Sequence, residues 1–430
     1  MRTSRKKKKK KANQNDRISD LPINVIDEIL GNLRIRDQVR TSILSKMWRY
    51  MWTSAPQLRF DQDFFESFLH HEDYEPEDYQ PVVSKIITDV LMIHNGPIHK
   101  FSIDISPGYP FRISMENLNT WIPFMSKDIK HLELLALRSY EDETQTSDIL
   151  FSCKELTFLK LSSIFLSIPP NFNGFKKLLE LHLFRIEFES GAIESLVSGC
   201  PLLEKLKIKS CDGCDYLVIS SPSLKVLVLE LYDTKSICLK EAKNLIDFTL
   251  KTNPTRGLIK SLPKIKKFSL DNWIKESYAD IILPPLLTSS FSSLEYLELD
   301  DLSLNDEGDF LYFVSVLKSS PRLIELVIRQ RLKDVDAIQV SDHCKELECG
   351  NCFLKLQTVN IHVSTNSQHG MSLIQFILAN SPSLKTLNFW CDFELDTPML
   401  LNISKDLLRM ERASPKAQVA FFHLKGVVLL

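Results

Sequence analysis

The chain has 430 residues, 44% of them hydrophobic and 25% charged, which is the composition of an ordinary soluble protein. It contains no run of about 18 apolar residues and no apolar segment near the N-terminus, so we expect neither a membrane span nor a secretory signal. The length exceeds that of one compact core and predicts several domains or an elongated repeat.

Residues 1–15 are predicted to form a basic, disordered tail. Arg2, Arg5 and the run from Lys6 to Lys11 supply eight of the 53 basic residues, which leaves 45 basic against 55 acidic residues in the rest of the chain. An acidic body is a poor surface for nucleic acid, so no nucleic-acid partner is expected. The lysine run is either a solvated tail or a nuclear localisation signal, and we expect the protein in the nucleus, the cytoplasm or both.

Residues 16–60 contain two short helical patterns. The first is predicted to run from Pro22 to about Leu33, with Asp20 as a candidate N-cap residue. The second follows Asp37, and its apolar stripe consists of Val39, Ile43, Leu44, Met47, Trp48 and Met51. A segment of about 40 residues scarcely buries this much apolar surface by itself. It is therefore either an N-terminal cap for the body or a surface for the helices of another protein.

These residues resemble an F-box. The family pattern of Leu-Pro, Ile/Val-x-x-Ile-Leu and Val-x-x-Ser-x-Leu-Ser-Lys-x-Trp is met by Leu21, Pro22, Ile26, Ile29, Leu30, Val39, Ser42, Leu44, Ser45, Lys46 and Trp48. Arg34 and Met47 depart from it, standing where the family usually has proline and a basic residue. The resemblance implies docking on the Skp-type linker subunit of an SCF ubiquitin ligase and, through it, on cullin. The predicted linker-binding residues are Leu21, Pro22, Ile26, Ile29, Leu30, Val39, Leu44 and Trp48.

Residues 61–95 are expected to form a linker and a joining helix. The sequence HNGPIHKF, from His94 to Phe101, resembles the segment between F-box and repeats in plant F-box/leucine-rich-repeat proteins.

Residues 96–350 repeat the motif apolar-x-x-apolar-x-apolar. From Leu132 onward the starts are about 20 to 33 residues apart, which is the spacing of leucine-rich repeats and of longer units with an inserted helix. The last two apolar positions alternate with polar ones, so each unit should contain a strand with one buried face. The starts are Ile98, Leu132, Leu156, Leu178, Leu203, Leu224, Leu245, Ile265, Leu294 and Leu323, and the motif recurs at Leu356 and Leu384 in residues 351–425.

Helical connections are predicted in AIESLVSGCP, DFLYFVSVLKSSP and SLIQFILANSP, each of which ends at a proline. Residues 351–425, which include LLRMERASPKAQVAF, resemble the FBD domain found at the C-termini of the same plant family. The predicted fold is α/β. A three-helix F-box is followed by a curved leucine-rich-repeat solenoid with parallel strands on its concave side and helices and loops on its convex side.

The resemblance implies a substrate-recognition adaptor whose repeats hold a target protein for ubiquitination. The chain is accordingly not expected to be an enzyme or to need a cofactor, and it has no GxGxxG, GxxxxGK, GxSxG or HExxH motif. The alternative is a repeat scaffold that binds a protein without any ligase.

A third hypothesis is a zinc-dependent or nucleic-acid-binding protein. It rests on Cys211-x-x-Cys214 and on His343-Cys344-x4-Cys349-x-x-Cys352. The two cysteine pairs lie about six repeat units apart, or roughly 30 Å, so they cannot share one zinc ion. The His343–Cys352 group by itself matches the spacing of no standard zinc fold, so no metal site is predicted. Cys211 follows a strand at the position where leucine-rich repeats often carry Asn or Cys to bond the turn backbone. The nine cysteines are expected to be reduced thiols.

The substrate surface is predicted from the polar positions between the apolar strand positions, which are mostly basic in early units and acidic in later ones. Tyr296, Glu298 and Glu325 are the predicted substrate-binding residues, because an aromatic side chain flanked by charge is typical of an interface centre. The concave positions include Lys160, His182, Lys205, Lys207, Asp247, Tyr296, Glu298, Glu325, Thr358 and Asn388.

Overall fold

The computed structural model describes residues 18–69, 79–104, 114–135, 148–232, 234–251, 258, 262, 265–271, 291–302, 313, 316–330, 353–363, 368–391, 397–423 and 426–429. The predictions for the lysine tail and for the His343–Cys352 group lie outside these ranges. The chain divides into two compact units, Met1–Ser163 and Ile164–Leu430. None of the helices in the described ranges combines the length and apolar character that crossing a bilayer requires.

The F-box helices open the first unit. Helix α1 spans Ile23–Asn32 and α2 spans Ile35–Arg40, followed by a 3₁₀ turn at Thr41–Ile43 and a 3₁₀ helix at Trp48–Ser54. The predicted cap at Asp20 is wrong, because Pro22 occupies the N-cap position and no side chain caps the helix. The second apolar stripe is likewise not carried by one helix, since the chain leaves α-helical geometry after Arg40.

The other described residues of the first unit form four parallel strands, three α-helices and a 3₁₀ helix at Asp148–Ser152. The strands and α-helices are β1 (Gln57–Phe60), α3 (Gln62–Leu69), α4 (Tyr79–Ile93), β2 (Lys100–Ile103), α5 (Met115–Met125), β3 (His131–Leu134) and β4 (Phe158–Ser162). The strands pair in the order β1-β2-β3-β4. Buried Leu58, Phe101, Leu132 and Leu159 are register partners across them, so one apolar row runs through the unit.

The predicted repeat start at Leu132 is wrong by three residues. Leu132 pairs with Phe101 and Leu159, which are the fourth positions of their own motifs, so this unit starts at buried Ile129 and reads IKHLEL. The sequence LELLAL satisfies the same pattern by chance, and only pairing with the neighbouring strands distinguishes the two frames.

The second unit contains a longer ladder of parallel strands. In chain order it comprises β6 (Glu180–Phe184), β8 (Lys205–Lys209), β10 (Val226–Glu230), β12 (Asp247–Lys251), β13 (Lys267–Asp271), β14 (Tyr296–Leu302), β15 (Glu325–Gln330), β16 (Thr358–Val363), β17 (Thr386–Cys391) and β18 (Gln418–His423). Each strand pairs with the next, and β19 (Gly426–Leu429) closes the series antiparallel to β18.

Short side sheets and helices accompany this ladder in the part of the unit that the structure describes. The side sheets pair β5 (Phe165–Leu166) with β7 (Glu187–Phe188) and β9 (Tyr216–Ser220) with β11 (Ser236–Lys240). The helices are α6 (Ala192–Ser198), α7 (Gln368–Asn380) and α8 (Thr397–Arg409). Helices α6 and α7 confirm two of the predicted helical connections, and each ends shortly before its proline, Pro201 or Pro382. The predicted fold class, F-box helices followed by a leucine-rich-repeat solenoid, is confirmed.

The joining segment lies against the end of the F-box. The backbone N–H of Asn95 donates to the carbonyl of Thr53 at 2.8 Å. A Cβ at Gly96 would lie 2.8 Å from the carbonyl oxygen of Ser54, so glycine permits this close approach. The neighbouring imidazole of His94 is half-buried, and burial lowers its pKa from 6.5 to about 4.

We expect this buried histidine to make the first unit acid-sensitive. His94 takes up a proton below pH 6.5 in the unfolded chain but only near pH 4 in the folded chain. The free energy of unfolding should therefore be highest above pH 6.5 and should fall as the pH is lowered from 6.5 to 4. The slope should be about 1 kcal/mol per pH unit. Urea unfolding of the wild type and His94→Gln from pH 7 to pH 4 measures it. Identical pH dependence in the two proteins would contradict the assignment.

Candidate functional site

The structure divides the eight predicted linker-binding residues by burial. Ile26, Leu30 and Trp48 are 0–1% exposed and form the core of the F-box together with Ala55. Leu21 is partly buried and packs against this core. A side chain enclosed in this way supports the surface from within and does not itself reach a partner.

The remaining predicted residues are exposed. Pro22, Ile29, Val39 and Leu44 all lie at the surface of the F-box. The structure adds further exposed apolar side chains that the predicted set omitted, namely Ile18, Ile23, Ile43, Met47 and Tyr50. Scattered apolar side chains are normal on a protein surface, but this concentration on so small a module is typical of an interaction site.

Two polar residues that sequence reasoning missed shape this module. The buried amide of Gln38 donates to the carbonyls of Leu30 at 2.8 Å, Leu33 at 3.1 Å and Gln57 at 3.2 Å, which ties the end of α1 to β1. Arg34, which departs from the F-box pattern, forms ion pairs with Asp61 and Asp63 at the start of α3. This arginine therefore has a structural role of its own in this chain.

The polar face of the strands is the second candidate surface. The ten predicted concave residues all lie on described strands, and each is next to at least one buried apolar residue. Nine are partly exposed and His182 is buried, with its Nε2 3.3 Å from a carboxylate oxygen of Glu180. Lysines dominate on β8 and carboxylates on β14, whereas β13 and β15 each carry one acidic and one basic residue.

The predicted substrate residues belong to one polar network. Tyr296 donates its hydroxyl hydrogen to Glu298 Oε2 at 3.0 Å, and Glu325 is the register partner of Tyr296 on β15. Arg329, which the sequence analysis did not single out, bridges the carboxylates of Glu298 and Asp300. The network thus brings the three predicted residues together around an arginine.

Burial and pairing shift the pKa values of this network. Burial raises the pKa of Tyr296, and the adjacent Glu298 carboxylate raises it further. Burial alone would raise the pKa of Glu298, but hydrogen bonds from Arg329 and Tyr296 outweigh it and hold that pKa below its usual value. Burial prevails at Asp300 and raises its pKa. At neutral pH the network holds charged carboxylates around one guanidinium and offers hydrogen bonds rather than a reactive group.

Cys211 serves the turn as predicted. Its thiol lies 3.2 Å from the carbonyl of Lys209, and it accepts a hydrogen bond from the backbone N–H of Ile186 at 3.4 Å. Burial raises the pKa of Cys211 to about 11 and that of Cys214 to about 12, so both side chains are protonated thiols at neutral pH in this structure.

Sequence comparisons match two parts of the chain with known families. Residues 18–59 match the F-box domain, and residues 118–269 match the family described as "FBD-associated F-box protein At5g56370, LRR repeats". The chain is 30% identical over 433 residues to F-box/FBD/LRR-repeat protein At1g13570 of Arabidopsis thaliana, covering 94% of this chain and 98% of that one. It is 24% identical over 430 residues to FBD-associated F-box protein At4g10400 of the same plant, covering 94% and 100%.

The domain content also indicates a type of activity. An F-box followed by leucine-rich repeats indicates a protein-binding adaptor of a ubiquitin ligase, and proteins with this combination are typically adaptors rather than enzymes. Because the similarity to At1g13570 reaches 30% over nearly the full length of both proteins, the chain belongs to the plant F-box/FBD/leucine-rich-repeat family.

Proposed function

We propose that the chain is the substrate-recognition adaptor of an SCF-type ubiquitin ligase. In this proposal the F-box binds the Skp-type linker subunit, which connects it to cullin, and the repeats bind the target protein. The observation that carries it is the set of exposed apolar side chains on an F-box whose own core is complete without them. Apolar side chains in this position become buried when a partner's helices cover them.

The adaptor would perform no chemistry itself. Holding a target beside a charged ubiquitin-conjugating enzyme raises the effective concentration of the target lysine at the reacting thioester. We propose that Tyr296, Glu298 and Glu325 take part in binding that target, since they lie together on the polar face of β14 and β15.

Co-expression with a Skp-type linker tests the docking step. The two proteins should co-purify through size-exclusion chromatography as a stable complex, because an apolar interface of this kind is buried on association. A well-folded chain that elutes without the linker would refute the ligase role and favour a protein-binding repeat scaffold.

For the basic tail we propose a role in nuclear localisation, with the protein in the nucleus, the cytoplasm or both. Deleting residues 2–11 should leave the melting temperature unchanged, because a block of like charges cannot contribute to a packed core. The same deletion should lower the nuclear fraction of a fluorescent fusion, measured by imaging. An unchanged nuclear fraction would reduce the segment to a solvated tail.

A further inference from the structure

Three aromatic rings stack across the last parallel strands of the second unit. His362 on β16, Trp390 on β17 and Phe422 on β18 are register partners. The His362 and Trp390 ring centroids are 4.4 Å apart with 3° between the planes, and those of Trp390 and Phe422 are 4.6 Å apart with 11°. We call these three residues the aromatic row.

The aromatic row lies on the polar face, where all three side chains are partly exposed between buried neighbours such as Ile361 and Phe389. The neighbouring rings cover both faces of the central Trp390 ring, so only its edge remains for a partner. An aromatic edge carries partial positive charge and prefers the face of another ring, in an edge-to-face contact. A cation, by contrast, needs an open ring face. The row therefore favours an aromatic side chain.

An acidic pocket of about 250 Å³ lies on the same face. Its lining includes Ser269, Asp271, Glu298 and Asp300, together with Lys251 and Arg329. Arg329 pairs with Glu298 and Asp300, and Lys251 pairs with Asp271 at 3.0 Å. Three carboxylates thus face two cations in the lining, which leaves one negative charge in excess. This local excess of negative charge favours a lysine or arginine side chain.

Arg329 connects the pocket to the row. It lines the pocket and is also the register partner of His362, the first ring of the row. The pocket carboxylates Glu298 and Asp300 lie on β14, and the central ring, Trp390, lies on β17. Three strand spacings of about 4.8 Å separate them, or about 14 Å. An extended peptide advances about 3.3 Å per residue, so about four residues span this distance.

We propose that the acidic pocket and the aromatic row together bind an extended segment of the target protein. This segment carries an aromatic residue that packs on the ring edges and, about four residues away, a lysine or arginine that enters the pocket. Beside the row, two residues before His362 and Trp390 on the same strands, the Asn360 and Asn388 side chains are joined by a 2.9 Å hydrogen bond and offer amide groups to the peptide backbone. This assignment rests on the proposed function only in naming the peptide's source as a ligase target.

Selection from a random peptide library displayed on phage, with the full-length chain as bait, tests the proposal. The enriched peptides should combine an aromatic residue with Lys or Arg three to five positions away. A synthetic peptide of the enriched sequence should bind about tenfold more weakly when its aromatic residue is changed to alanine, and likewise when its basic residue is changed to glutamine. These two changes leave the protein intact, so they cannot act through misfolding.

Two protein variants locate the site. Trp390→Ala should weaken the synthetic peptide about tenfold, whereas Lys205→Glu with Lys207→Glu, on the same face of an earlier strand, should not. Enrichment of acidic or aromatic-free peptides, or equal binding to Trp390→Ala, would overturn the proposal. Capture of the Skp-type linker by the same wild-type preparation is measured separately. A chain that binds the peptide but not the linker would refute the ligase role alone. A chain that binds the linker but selects no such peptide would refute this inference alone.

Discussion

A chain in which Ile43 and Leu44 are both changed to aspartate is expected to lose its capture of a Skp-type linker. The two side chains are 87% and 53% exposed, and neither belongs to the F-box core of Ile26, Leu30, Trp48 and Ala55. The module should therefore stay folded while its contact surface becomes charged. Interface anchors contribute about 2 kcal/mol or more each, so binding measured by pull-down and titration should weaken about a hundredfold or more.

A matched double variant exists in the same unit. Met92 and Ile93 are adjacent, apolar and 64% and 57% exposed, but they lie at the end of α4, outside the F-box. Met92→Asp with Ile93→Asp should leave linker capture at the wild-type level. Equal loss in both double variants would mean that added charge, not position, is responsible. Full binding by the Ile43 and Leu44 variant would place the docking surface elsewhere.

A buried F-box residue should fail in a different way. Trp48 is 1% exposed, so Trp48→Ala removes a core side chain and should destabilise the module by about 3–5 kcal/mol. Linker capture would then fall together with the thermal transition of the first unit. The surface variant should lose binding without that change in melting, and this contrast separates contact residues from supporting residues.

The repeat architecture was predictable because its signal is local and recurs. Each strand needs two apolar residues two positions apart and one more just before it, and successive strands sit in the same register. The repeat start predicted at Leu132 was wrong because Leu132 and Leu135 also belong to a second, accidental match to the motif. The motif search did not find strand β1 because the first apolar position of its motif is the small Ala55. It did not find β18 because the residue three positions before Val419 is the exposed Lys416 and not an apolar residue.

The F-box surface was only partly predictable, for a geometric reason. An amphipathic stripe predicts which residues are buried. It does not distinguish residues that are buried in the core of the F-box from residues that become buried only when a partner binds. Ile26 and Ile29 are both predicted linker-binding residues, yet the first is 1% exposed and the second 37%. The break between α2 and the 3₁₀ helix also rotates Ile43 to the surface, and no helical period describes that break.

The network around Arg329 and the aromatic row depended on long-range register. His362, Trp390 and Phe422 are separated by roughly thirty residues each, and no local pattern links them. Arg329 meets Glu298 and Asp300 only because β14 and β15 are neighbours. Contacts of this kind can be predicted once the register of each strand against its neighbours is known. A correct register therefore matters more for predicting the site than for predicting the fold class.

Changing Gly174 to alanine is expected to cost the second unit much of its stability. Gly174 has φ +89°, where an L side chain is strained, and a Cβ there would lie 1.9 Å from the carbonyl oxygen of Gly199. The carbonyl of Gly199 is part of the backbone directly after α6, so it cannot move away from a new Cβ as a flexible side chain would. Strain and collision together should cost about 3 kcal/mol or more. Thermal unfolding should show a melting temperature lower by about 6 °C or more.

Gly191 provides the control that separates collision from strain. It has φ +77° at the start of α6, but a Cβ there would meet no atom within 4 Å. Gly191→Ala should therefore show only the backbone penalty, about 1 kcal/mol. The difference between the two variants measures the contact between Gly174 and Gly199. If both lose the same stability, the two backbones do not meet as closely as the structure indicates. A loss confined to Gly174→Ala means that the stacking of these two repeat units depends on a pair of glycines.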